Sequence, residues 1–437
     1  MLDTPIRQLI VRLAIPAVAT QLITVVYNTA DMYFVSKIST AASAAVGIVF
    51  SLQSLIHALA FGIGMGTGTL LSRYLGCGDD ENAQKCTSSG VVMSLGTGFL
   101  ITGLCLAFLE PLMRLLGSTD TILPYSIAYA KYIVLASPVM CLQSLLGCVL
   151  RNSGRSTQAM IGVCAGGIIN TFLDPLFISV FNMGTAGAAI ATAVSQIIST
   201  GVLVAIFLMG KAPVKINPKY ASRNFKDYWQ ILATGSPTIF RQGLACISTA
   251  CLNVAAADYS DAAIAAISIA NKVYMLVRGI IIGVGQGYMP VAAFNYAAGK
   301  KKRTREAFYF TTIMGTAVCI VFAVVISIFP EAILRLFRDD ADVIAAGKPA
   351  VLFVCAVMPF LAYSTFVNQT YQGLGFKIRA TILASSRQGI CFLPLIFILP
   401  RFLGLTGIQL SQPGADFLTF IISIPFQLYF FKNNLKE

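Results

Sequence analysis

Gly62-Ile-Gly-Met-Gly-Thr-Gly68 and Gly283-Val-Gly-Gln-Gly287 are the two stretches on which the reading of this chain turns. Shifting the sequence by 221 positions lays one on the other: Gly62 on Gly283, Gly64 on Gly285 and Gly66 on Gly287. Without a gap, the same shift pairs Pro16 with Pro237, Gly78 with Gly299, Pro138 with Pro359 and Gly154 with Gly375. Apolar residues coincide often by chance, but prolines and glycines do not keep one register over so long a stretch. The chain is therefore an internal duplication. The glycine spacing looks superficially like a phosphate-binding loop, yet both runs sit inside apolar segments with no Lys-Ser/Thr after them. Small residues at these intervals let helix backbones approach closely, and packing is the role expected of them.

Of the 437 residues, 57% are hydrophobic and only 11% are charged, with a mean hydropathy of +0.78. A soluble domain carries roughly 25% charge. About 20 apolar residues suffice to cross a hydrocarbon core of roughly 30 Å. Segments of that kind recur at 13–35, 43–72, 87–109, 127–150, 157–181, 186–209, 230–258, 262–294, 306–329, 345–373, 378–399 and 407–431. The expectation is an all-α integral membrane protein of twelve transmembrane helices in two pseudo-symmetric six-helix lobes. These are 1–210 and 230–437, joined by a basic cytoplasmic linker at 211–229. Six spans per half is an even number, so the copies share one orientation and are related by an axis along the membrane normal. Such a duplication points to an alternating-access carrier rather than a channel. No soluble stretch longer than a loop interrupts the spans, so transport is expected to draw on a gradient and not on an attached ATPase.

The net charge of +13 is a topology signal. Most Lys and Arg cluster in the connections on one side, above all Lys211, Lys215, Lys219, Arg223 and Lys226 and the run Lys300–Arg305. Only Lys37, Arg114, Lys131, Arg335, Arg338, Lys348 and Arg401 fall at or near the other side. By the positive-inside rule both termini, Lys432 and Lys436 included, are cytoplasmic. No nucleic-acid partner is expected. The first span is read as an uncleaved insertion signal. Eleven cysteines without a Cys-x-x-Cys pair read as small apolar packing residues, and His57 is the single histidine. With no metal-type cluster and no nucleophile–base pair, an enzyme is not expected, nor is a bound cofactor.

A charged side chain at mid-span costs on the order of 3 kcal/mol on insertion scales, so each needs a reason. Asp31 lies late in the first span and Asp174 late in the fifth. Tyr27 and Asn170 each sit one turn before an acid, on the same helix face. Thr192 enters from the same side on the sixth span at a similar depth. Pro175 frees the Thr171 carbonyl one turn earlier. Together these oxygens suit a proton or a hard cation, with Asp174, Asn170 and Thr192 as metal ligands if the ion is Na⁺. The 221-residue shift maps Asp31 onto Leu252 and Asp174 onto Leu395, so the feature belongs to one half alone. The other half places Arg241, Lys272, Arg278 and Arg387 inside its spans, without enough nearby acids to pair them all. Either they form a basic wall that meets an anionic group, or they snorkel and bond to carbonyls.

These residues resemble the multidrug and toxic compound extrusion (MATE) family, in particular its bacterial DinF-like branch. The marks are Leu13-Ala-Ile-Pro16, Asp31-Met-Tyr-Phe-Val-Ser, Asn170-Thr-Phe-Leu-Asp-Pro-Leu-Phe177, Gly235-Ser-Pro-Thr-Ile-Phe-Arg-Gln242 and Gly285-Gln-Gly-Tyr-Met-Pro-Val-Ala-Ala-Phe-Asn-Tyr296. The resemblance implies a V-shaped pair of lobes and multidrug efflux, an antiport of organic compounds against H⁺ or Na⁺, in the bacterial plasma membrane. It places a cation-coupling site on Tyr27, Asp31, Asn170, Asp174 and Thr192. A branch that couples to Na⁺ through acids of the seventh and tenth helices is not matched, because Arg241, Gln242, Asn368 and Gln369 stand there. The substrate cavity is expected to involve Arg241, Gln242, Lys272, Arg278 and Gln286. A flippase of lipid-linked oligosaccharide, or of another anionic amphiphile, is the alternative within the same superfamily. Small organic substrates and membrane lipids are the expected partners of a monomer.

Overall fold

The computed structural model describes residues 2–36, 38–256 and 259–435. Lys37 and Lys436, which the charge reading placed outside and inside, lie beyond them, as do the last residues of the 230–258 span. The described chain is helical, with no strand among the described residues. In chain order the α-helices are α1 (Ile6–Ser36), α2 (Thr40–Cys77), α3 (Asp80–Ala107), α4 (Leu109–Leu115), α5 (Leu123–Leu135), α6 (Ser137–Asn152), α7 (Ser156–Pro175) and α8 (Gly184–Leu208). They continue as α9 (Phe225–Ala256), α10 (Asp261–Ala297), α11 (Lys301–Ile328), α12 (Pro330–Phe337), α13 (Ala341–Gly373), α14 (Lys377–Ser385), α15 (Leu393–Leu403) and α16 (Leu405–Asn434). Eleven spans among the described residues are long and apolar enough to cross a membrane, and a bent pair, α5 with α6, makes a twelfth.

The duplication reaches down to helix caps. Ser39 and Ser260, 221 residues apart, each accept a backbone N–H at the start of a long helix, from Ala42 at 3.0 Å and Ala263 at 3.3 Å. A cap of this kind contributes about 1 kcal/mol. Gly78 and Gly299 both close their helices at φ 74°, where a side chain would be strained. The short helices α4 and α12 also correspond, each beginning after a phenylalanine, Phe108 or Phe329, that breaks the preceding span. Hydropathy does not reveal these two helices, because seven or eight residues are too few to register as a span.

The chain packs as two compact units, residues 15–239 and residues 1–14 with 240–437. Thus α1 begins in one unit and continues into the other, and α9 does the converse. Pro16 and Pro237 lie within three residues of these two boundaries. The linker residue Ser222 donates its N–H to the Ser89 hydroxyl oxygen at 2.8 Å, and Asp227 pairs with Lys85 at 2.8 Å. In the second unit the N-terminal stretch is held by Arg303, which donates to the Thr4 carbonyl at 2.6 Å.

Within the 15–239 unit, α2 packs against α3, α5 and α6, and α7 against α6 and α8. The glycine run does what close approach requires. A Cβ on Gly66 would meet the Ile231 carbonyl, and one on Gly235 would meet the carbonyl of Gly62. Within the other unit α13 is the hub, packed by α10, α11 and α16.

Two spans depart from the simple reading. The 127–150 segment is not one straight helix: α5 and α6 meet at a 50° bend at Ala136. Pro138 alone does not explain the bend, since its counterpart Pro359 sits inside the continuous α13. What differs is the neighbour: Gly98 of α3 lies against the Pro138 backbone, where the other half has Cys319. The fifth and eleventh spans each contain a π-helical stretch, Leu176–Val180 directly after Pro175, and Ser386–Phe392 between α14 and α15. Such stretches follow from a lost i→i−4 bond and recur at functional sites.

Candidate functional site

In the 15–239 unit, α7 and α8 bring Asn170, Asp174 and Thr192 together. Asn170 Nδ2 donates to Asp174 Oδ1 at 3.2 Å and lies 3.5 Å from Thr192 Oγ1. Asp174 is fully buried. From α1, Asp31 comes close enough for its charge to act on Asp174, and Tyr27 packs on Gly167 of α7. All five residues expected of a cation site therefore gather in one unit.

The structure adds a sixth residue. Tyr129 of α5, 1% exposed, places its side chain beside both Asp31 and Thr192. Hydrogen bonds join Asp174 to Asn170 and Asn170 to Thr192, and the Tyr129 side chain stands between Thr192 and Asp31. On each acid one carboxylate oxygen, Asp174 Oδ2 and Asp31 Oδ1, is buried with no hydrogen-bond partner. A buried carboxylate oxygen left without a donor is costly unless a proton or cation meets it. Tyr129 was not singled out from the sequence, since a tyrosine in an apolar span is ordinary. The bend at Ala136 is what sets α5, and with it Tyr129, at its angle.

A polar hollow of about 290 Å³ lies beside this centre, lined by Tyr27, Gln143, Asn170, Thr192, Ser195 and Gln196 among others. Asn170 and Thr192 thus face both the hollow and the acids, and the hollow gives water a place to stand within one residue of the carboxylates.

In the other unit the expected residues do not all converge. Arg241 and Arg278 line a hollow of about 460 Å³ together with Asn368, Arg387 and Gln388. Gln242 and Gln286 are not among its lining residues; Gln286 is buried, and Lys272 is exposed on α10. Arg387 has an acid after all. Its Nε lies 2.5 Å from Asp416 Oδ1, and its guanidinium also contacts the Tyr274 hydroxyl, which donates to Asp416 Oδ2 at 2.6 Å. Asp416 of α16 was not singled out from the sequence, though a lone acid within a span was the available signal. No cluster of three or more His, Cys, Asp or Glu able to hold a metal occurs among the described residues.

Comparison with known proteins points to one family and one fold. The sequence profile described as MatE matches residues 16–176 and 237–398, one stretch in each half. The chain is 24% identical over 423 residues to the multidrug export protein MepA of Staphylococcus aureus (strain MSSA476), covering 95% of this chain and 92% of the relative. It is 25% identical over 442 residues to MepA of Staphylococcus haemolyticus (strain JCSC1435), covering 99% and 95%. Among solved structures it resembles an outward-facing multidrug resistance MATE family transporter of the MOP superfamily. The TM-score is 0.92 and the identity 23%, over 98% of this chain and 96% of the other. It resembles equally a MOP superfamily transporter from Pyrococcus furiosus, described as having a binding pocket of reverse polarity that suggests a different function. There the TM-score is 0.92 and the identity 23%, over 99% and 98%.

Proposed function

Since this chain belongs to the MatE family, we propose that it is a secondary active antiporter that exports organic compounds in exchange for an ion. The Asp31–Asp174 centre is its coupling site. The multidrug export ascribed to its bacterial relatives is extended to it here, with a bacterial plasma membrane as its place and both termini cytoplasmic. The observation that carries the proposal is the pair of buried carboxylate oxygens without partners, Asp174 Oδ2 and Asp31 Oδ1, on acids close enough for the charge of one to act on the other.

The physics of coupling follows from that arrangement. Two ionised carboxylates in a low-dielectric interior repel far more strongly than in water, and a bound cation removes that repulsion. An ion moves a conformational equilibrium only by binding one state better than the other. The π-helical stretch after Pro175 is the local element where wider i→i−5 bonds, such as Phe181 N–H to the Leu176 carbonyl at 3.0 Å, replace the α-helical pattern. It is therefore the place where α7 can bend as Asp174 gains or loses its ion. H⁺ is the ion the donor set favours. Asn170 turns its NH₂ toward Asp174 and Thr192, which leaves the two carboxylates to carry the charge. A Na⁺ held by Asp174, Asn170 and Thr192 needs the Asn170 amide turned the other way.

The test is transport in proteoliposomes under H⁺ and Na⁺ gradients imposed separately, comparing the intact chain with Asp31→Asn and Asp174→Asn. Efflux driven by neither gradient in the intact chain overturns the proposal.

A further inference from the structure

The hollow in the unit of residues 1–14 and 240–437 has an unusual charge balance. Three arginines from three spans, Arg241 of α9, Arg278 of α10 and Arg387 of the 386–392 π stretch, face it together. Arg241 and Arg278 stand near the middle of helices of 32 and 37 residues, not at their ends. Snorkelling to an interface is therefore not their resting place. Neither has an ion-pair partner or a carbonyl acceptor among the described residues, while the charge of Arg387 acts on both.

One acid, Asp416, answers the three. It is 2% exposed and is saturated by Arg387, by the Tyr274 hydroxyl and by Gln412 at 3.3 Å. Every other described Asp or Glu of residues 240–437 lies in a connection or near a helix end, as do Asp261 at the start of α10 and Asp342 in the first turn of α13. A low-dielectric cavity with three guanidiniums and one carboxylate carries an uncompensated positive charge, which is costly unless an anion enters. Guanidiniums present planar forks of donors that match the oxygens of phosphate or carboxylate.

We infer that this hollow binds the oxyanion group of an organic ligand, phosphate or carboxylate, between Arg241 and Arg278, with Arg387 as a third donor that Asp416 holds in reserve. The inference rests on the reading of the chain as an exporter of organic compounds and narrows its cargo to compounds bearing such a group. Asp416 then acts as an internal competitor. While the hollow is empty it occupies Arg387, and an entering anion shares that guanidinium with it. The ligand is either a free organic anion or the headgroup of an anionic lipid.

The test reads binding without any gradient, so that a failure of ion coupling leaves it untouched. The full-length protein in phosphatidylcholine nanodiscs is titrated calorimetrically with 2-naphthyl phosphate and with the cation (2-naphthylmethyl)trimethylammonium. The phosphate is expected to bind at least about tenfold more tightly than the cation. Arg241→Gln and Arg278→Gln are each expected to weaken it by more than about tenfold, the scale of a lost charge-assisted bond. Asp416→Asn, which removes the competitor, is expected to tighten it several-fold. Should Asp416→Asn not fold, the two glutamine variants carry the test, with a monodisperse elution profile as the control for folding. Nanodiscs containing phosphatidylglycerol separate the sources: loss of phosphate binding there assigns the site to a lipid headgroup, and retention assigns it to a free anion. Equal affinity for both probes, or unchanged phosphate affinity in folded Arg241→Gln and Arg278→Gln, overturns the inference.

Discussion

Asn170 donates to Asp174 at 3.2 Å while reaching toward Thr192 across the α7–α8 contact, so the amide of one residue sets the orientation of an acid and ties it to the next helix. Because Asp174 Oδ2 keeps no partner, Asn170 orients the carboxylate without consuming its ion-binding capacity. The Asn170→Ala substitution is expected to lower efflux several-fold without abolishing it. Because a proton needs only the carboxylate whereas Na⁺ needs further oxygens, the loss is larger under a Na⁺ gradient than under a H⁺ gradient. Parallel dye-efflux assays in proteoliposomes measure the two losses, and equal losses argue against Asn170 as an ion ligand.

Tyr129 stands between Asp31 and Thr192. Tyr129→Phe keeps the ring in its apolar cluster with Val49, Ile56 and Ala188 but removes the hydroxyl that meets Asp31 and Thr192. A single hydrogen bond contributes about 1 kcal/mol to stability, so the melting temperature is expected to fall only slightly. Gradient-driven efflux is expected to fall much further, by about tenfold. A variant that melts and transports like the parent shows that the hydroxyl only fills space.

Much of this was legible in the sequence, for physical reasons. A buried charge is expensive in a membrane, so Asp31 and Asp174 stand out wherever they lie, and helical periodicity hands over Tyr27 and Asn170 with them. The duplication was legible because caps and turns need particular residues: Gly78 and Gly299 adopt the same left-handed conformation. Tyr129 was hidden, because its role depends on the 50° bend between α5 and α6. That bend coincides with a close approach of Gly98 to the Pro138 backbone between helices, which no local pattern records. Asp416 escaped for a related reason. The sequence shows a shortage of acids for four basic residues but not which one is paired, and the pairing of Arg387 with Asp416 joins spans 29 residues apart in the chain.

The packing role of the glycine run makes a prediction about stability alone. In Gly66→Val the new side chain meets the backbone of Ile231, which cannot move aside as a flexible side chain does. The cost is expected to be about 1–3 kcal/mol or more. Gly47→Ala in the same helix meets nothing within 4 Å and is expected to gain up to about 1 kcal/mol of helix propensity. Thermal melts of the two purified variants are expected to move in opposite directions. A Gly66→Val protein as stable as the parent refutes the close-approach account.

The orientation drawn from the basic connections is open to direct labelling. In a chain cleared of its native cysteines, Lys302→Cys is expected to resist an impermeant thiol reagent in intact cells and to react once the membrane is opened. Labelling from outside reverses the assignment of both termini.

The central claim is that Asp31 and Asp174 carry the coupling ion, and the measurement that tests it most directly is efflux by the asparagine variants. Asp31→Asn and Asp174→Asn keep the size of each side chain and remove its charge, so both proteins are expected to insert, fold and still bind cargo. In proteoliposomes given first a H⁺ and then a Na⁺ gradient, each is expected to lose gradient-driven efflux by at least about a hundredfold, the scale of an abolished coupling free energy of roughly 3 kcal/mol. Full transport by either variant under the gradient that drives the parent contradicts the account.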